Sequence, residues 1–129
     1  MTKLREIEQP IFYKKKARRP LSKKQKNLLF ITLEKYLFKK RVLKKNCEKI
    51  LEIGFGYGEN LIHLSKKNNR KLFVGCEIYE PGIANLVEKI EVEKLKNIYF
   101  YSKNIFLLFK ELRKNSIDKV FILYPDPWP

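Results

Sequence analysis

"LEIGFGYGEN", residues 51–60, is the stretch on which the fold turns. The apolar run KILEI, 49–53, reads as a buried strand. It breaks into a turn in which Gly54, Gly56 and Gly58 alternate with Phe55 and Tyr57. Glycine weakens strands and helices alike, so three within five residues mark a backbone that needs left-handed conformations or close approach. Glu52 sits inside the apolar run, and a carboxylate in a buried strand is costly unless something pairs with it. This turn is therefore expected to hold a ligand. The dinucleotide-binding pattern G-x-G-x-x-G would require glycine at 59, where the chain has Glu59. A carboxylate there opposes a diphosphate. The spacing is instead E-x-G-x-G-x-G.

Working outward, strand and helix signals alternate. A helix is expected near 59–67, then a second strand, KLFVGCEI, at 71–78. Pro81 suits a helix's first turn, and Ile83, Leu86, Val87 and Ile90 give that helix an apolar face to about Leu95. IYFYS (98–102), a short helix at about 105–113 and DKVFILY (118–124) follow, and PDPWP closes the chain. The β-α-β-α-β-α-β order predicts an α/β fold with a doubly wound parallel sheet. Ligands bind such sheets beyond the carboxyl ends of the strands. Gly54–Gly58, Glu77, Asn104 and Asp126 all fall there.

The amino-terminal part reads differently. Residues 1–50 carry 17 Lys/Arg against 4 Asp/Glu, while 51–129 carry 12 against 10, within a formal net charge of +15. A basic front on a nearly neutral body suggests a polyanion partner, although a lysine-rich solvated surface would give the same composition. FYKKKARRP (12–20) interleaves aromatic and basic residues; Lys14, Lys15, Lys16, Arg18 and Arg19 are the candidate phosphate contacts. Ser22 and Gln25 have capping-box spacing at the start of a helix, and Leu29, Phe30, Leu33 and Leu37 form an apolar stripe expected to be its packing face. Helix end and linker are expected within 39–49. The division is thus a basic arm and helix at 1–48 and a ligand-binding half-domain at 49–129. Cys47 and Cys76 show no CxxC and no metal-ligand spacing, which fits a reducing cytoplasm. No secretory h-region and no run of the ~18 apolar residues of a membrane span are evident. His63, the one histidine, is expected at the surface.

The second strand ends in Glu77, 25 residues after Glu52. An acidic residue there commonly accepts both hydroxyls of an adenosine ribose; alone it could equally be a solvated strand-end charge. Glu52 beside the turn suits an ammonium, directly or through water. Together these point to S-adenosylmethionine, which carries a sulfonium and an amino acid and no phosphate. Asn104 stands where an adenine-edge contact would fall, or it caps the helix at 105–113. The two prolines flanking Asp126 hold it in stiff backbone, with Trp128 beside it.

LEIGFGYGE, GCEIYEPG, LKNIYF and FILYPDPWP, with the basic KKKARRPLSKKQ before them, resemble in order and spacing the bacterial tRNA (guanine-N7)-methyltransferase family. The resemblance covers essentially the whole chain, and PDPW is its most specific part. It implies a Rossmann-like methyltransferase that transfers a methyl group from S-adenosylmethionine to N7 of a guanine in the tRNA variable loop. Glu52, Gly54, Gly56, Gly58, Glu77 and Asn104 would contact the cofactor, and Asp126 would be both cofactor-contacting and catalytic. Two departures stand out. The family usually has Asp where this chain has Asn104. The family also continues past PDPWP with a basic segment and three more strands, so the sheet is expected to be truncated after strand 4, leaving that strand as an apolar edge open to aggregation. Two other functions fit: a methyltransferase for another RNA, and a non-catalytic basic RNA-binding remnant. The D-P-P-aromatic motif of amino-group methylases differs from PDPW in residue order.

Overall fold

Ser22 starts the first helix in the way its spacing predicts. In the computed structural model, which describes residues 20–122, α1 spans Lys23–Tyr36. The Ser22 hydroxyl accepts from the Gln25 N–H at 3.1 Å, and the Gln25 side chain accepts from the Ser22 N–H at 2.9 Å. Two amide donors that no helix turn can satisfy are thereby paired. α1 packs against the third helix, and Leu28, Leu29 and Leu37 reach the core. Phe30 does not: it is 89% exposed, so the expected stripe is corrected at that position. The Leu33 side chain lies outside what is described. Where a linker is expected, a 3-10 helix forms at Lys40–Lys44, anchored by buried Val42.

β1 (Lys49–Ile53), β2 (Leu72–Cys76), β3 (Ile98–Tyr101) and β4 (Lys119–Ile122) make one sheet in the order β3-β2-β1-β4, with every pairing parallel. The connections are α2 (Glu59–Lys67), α3 (Glu80–Glu93) and α4 (Ile105–Glu111). Strand residues alternate between faces, and the core divides accordingly. Ile50, Phe73, Ile98 and Phe100 pack with Leu61 of α2, with Ile83, Leu86, Val87 and Ile90 of α3, and with Tyr36 of α1. Leu51, Val74, Cys76 and Tyr101 pack on the other face with Phe38 and with Leu108 of α4. Apolar side chains on both faces of every inner strand are what a doubly wound parallel sheet requires. Among the described residues no helix is long and apolar enough to cross a membrane.

The two sheet edges differ. Beside β3, Leu37 forms a parallel bridge with Phe100, and the Phe38 N–H donates to the Phe100 carbonyl at 2.8 Å. β4 is the edge on the other side within the described residues, and Val120 and Ile122 are exposed. At the amino ends of the strands, Glu48 pairs with Lys71 at 2.9 Å and Lys119 at 3.2 Å.

Candidate ligand site at the carboxyl end of the sheet

The winding direction reverses at β1. α2 and α3 lie on the face reached by leaving β1 toward β2, and α4 crosses the opposite face to bring the chain to β4. Such a reversal opens a crevice at the carboxyl end of the central strand, and the glycine turn occupies it. Gly54, Gly56 and Gly58 have φ of 71°, 62° and 85°. At Gly54 and Gly56 an added Cβ would meet nothing within 4 Å, so left-handed backbone rather than crowding demands glycine there. The crowding is on the supporting helix: a Cβ on Gly82 would lie 1.9 Å from the Gly56 carbonyl oxygen. α3 therefore rests directly on the turn.

Glu77 ties the second loop to the first. Its Oε1 accepts from the Gly56 N–H at 2.9 Å, and its Oε2 accepts from the N–H groups of Ile78 at 2.8 Å and Tyr79 at 3.2 Å. The last two bonds turn the chain out of the sheet, which is why β2 stops at Cys76 instead of running to 78. A carboxylate offers about four lone-pair sites; three are taken by backbone amides, so the Glu77 carboxylate is already largely engaged within the chain. Gly54 adds a further tie, donating to the Cys76 carbonyl at 2.7 Å. Above the turn the Tyr57 and Tyr79 rings meet edge to face at 5.9 Å, and the Asn85 amide donates to the Tyr57 carbonyl at 2.7 Å.

Glu52 lies beneath this turn and is 2% exposed. Its Oε1 accepts from Asn60 Nδ2 at 3.0 Å, while its buried Oε2 has no partner among the described residues. Burial raises the carboxyl pKa above its ordinary value, against a smaller lowering by the Asn60 hydrogen bond. A buried carboxylate oxygen left without a partner by the described residues, at a topological switch point, marks a place where a further polar group can be received. Cys76, in the same strand as the Glu77 loop, is 4% exposed, and burial with a contribution from the Glu77 charge pushes its thiol up to about 12.

Asn104 caps α4: its side-chain oxygen accepts from the Phe106 N–H at 2.9 Å. His63 is exposed on α2. Asp126 and Trp128, and the basic candidates Lys14, Lys15, Lys16, Arg18 and Arg19, lie outside the described residues. Asn60, Gly82 and Asn85 belong to the site but were not singled out from the sequence. Only Asn60 carried a usable signal, a polar side chain in the first turn of the helix that follows the glycines.

A family model described as "Putative methyltransferase" matches residues 46–129. The chain belongs to this methyltransferase family. A bifunctional methyltransferase of Rickettsia conorii is 41% identical over 117 residues, covering 90% of this chain and 22% of that protein. A tRNA (guanine-N(7)-)-methyltransferase of Neorickettsia sennetsu is 38% identical over 100 residues, covering 77% of this chain and 46% of that protein. This methyltransferase chain thus spans less than half the length of either relative. Among solved structures, an antibiotic-related methyltransferase superposes with a TM-score of 0.58 at 20% identity, over 70% of this chain and 49% of that one. That likeness agrees with the Rossmann-like sheet order described above.

Proposed function

We propose that this chain is the cofactor-binding half of a tRNA guanine-N7 methyltransferase with S-adenosylmethionine as methyl donor. The observation that carries the reading is Glu52, a buried carboxylate at the end of β1 with one oxygen that no described residue partners, followed at once by a left-handed glycine turn. The residues present fit the cofactor. Glu52 would receive its ammonium, directly or through one water. Gly54 and Gly56 supply backbone with open space beside it, and Glu77 would stand at the ribose end. The group contributes, when bound, an electrophilic methyl on a sulfonium.

The chain's own contribution is placement. Guanine N7 carries an in-plane lone pair and no proton, so no base is required to create the nucleophile. Positioning alone is worth up to roughly 7–11 kcal/mol in well-oriented reactions. Asp126, held between two prolines, is assigned to stabilise the positive charge that the purine acquires. Lys14, Lys15, Lys16, Arg18 and Arg19 are assigned to tRNA phosphates, with the steep salt dependence that such contacts bring. The names of the relatives and the PDPW motif support the tRNA substrate. Calorimetric titration of the protein with S-adenosylhomocysteine tests the cofactor: saturable binding is expected, and its absence overturns the reading. Methylation of tRNA with and without its variable-loop guanine tests the substrate; equal incorporation into both would remove guanine N7 as the target.

A further inference from the structure

A cleft of about 430 Å³ opens between the start of α1 and the carboxyl ends of β2 and β3. On one side stand Lys26, Leu29 and Phe30; on the other Ile78, Glu80 and Ser102. It is an open cleft whose walls mix apolar side chains with Lys26, Glu80 and Ser102. We propose that α1 forms the outer wall of the nucleoside end of the cofactor site, with Phe30 stacking on the purine base. This rests on the reading of the site given above.

The position of Ile78 is the first reason. It directly follows Glu77 and lines the cleft, so a base on a ribose held at Glu77 would have this cleft beside it. Ser102 directly follows β3, two residues before Asn104, so the cleft is bordered by the loops after β2 and β3. Phe30 is the second reason. Leu28 and Leu29 pack inward, yet Phe30 is 89% exposed and does nothing for the core. Lys26 precedes it by one turn on the same helix face. Lys26 on one wall and Glu80 on the other give the cleft no net charge, which suits a neutral base.

The exposure of Phe30 makes the test clean, because F30A removes no core packing and its ligand-free thermal midpoint should match that of the wild type. Calorimetric titration with S-adenosylhomocysteine should show F30A binding about tenfold more weakly, the loss of one base–aromatic stack. F30W should restore the affinity. 5′-Methylthioadenosine, which keeps the nucleoside and lacks the amino acid, should lose affinity by the same factor. If the wild type binds no S-adenosylhomocysteine, the functional reading and this inference fall together. If the wild type binds and F30A binds equally well, only this inference falls. Unchanged cofactor affinity with weakened tRNA binding in F30A would assign Phe30 to RNA and overturn the proposal.

Discussion

Changing Glu52 to Gln separates the charge of the carboxylate from its shape. Gln keeps an acceptor facing Asn60 and replaces the unpartnered Oε2 by a neutral amide group. An unsatisfied buried polar group costs about 1–3 kcal/mol, and more when it is charged. E52Q exchanges a charged orphan for a neutral one, so the ligand-free protein should gain about 1 kcal/mol at neutral pH, which for a chain of this length raises the melting temperature by about 3–6 °C. The pH dependence fixes the cause. The folded pKa of Glu52 is raised by burial, so the unfolded chain ionises first as pH rises. Below the ordinary carboxylate range both states are protonated and the wild type carries no penalty. The penalty grows as pH climbs through that range and is complete above the raised folded value. The advantage of E52Q should therefore be absent near about pH 3 and grow as pH rises through and above the ordinary carboxylate range. Thermal melts of both proteins across that interval measure it. The same substitution should weaken S-adenosylhomocysteine binding about 10- to 100-fold, the worth of a hydrogen bond to a charged group. An E52Q protein that melts lower at neutral pH, or that keeps a constant advantage at every pH, would refute the picture of a buried, half-paired charge.

Other substitutions probe the supports of the site. G82A places a methyl where the Gly56 carbonyl oxygen lies 1.9 Å away, so α3 must shift; a loss of about 1–3 kcal/mol is expected in urea denaturation, together with weaker cofactor binding. N60A strips Glu52 of its hydrogen bond and should destabilise the protein by about 1–3 kcal/mol at neutral pH, with a smaller loss at acid pH where the carboxyl is protonated. Cys76, with its thiol pushed up to about 12, should resist alkylation in the native protein at pH 8 while half-buried Cys47 reacts; equal rates would contradict its burial.

What the sequence revealed and what it hid follow one distinction. KILEI and the glycine turn were legible because the relevant physics is local: apolar continuity, left-handed backbone and a charge where none belongs. The helix from Glu59 and the capping box at Ser22 were legible for the same reason. Phe30 was misread because helical spacing gives a stripe's position but not which part of it meets a partner. The 3-10 helix at Lys40–Lys44 was missed because buried Val42 is its main anchor in a lysine-rich run. Through-space relations were hidden altogether. Nothing in the spacing says that Asn60 will share its amide with Glu52, that Gly82 must clear the Gly56 carbonyl, or that three backbone amides will engage Glu77 before any ligand arrives.

The absent side chain at Gly82 also has a mechanical consequence. At Gly56 helix backbone is seated on loop backbone, with no side chain of α3 between them. α1 in turn rides on α3. A displacement of the turn at Gly56 is therefore passed directly to α3, and through α3 to the α1 that carries Phe30.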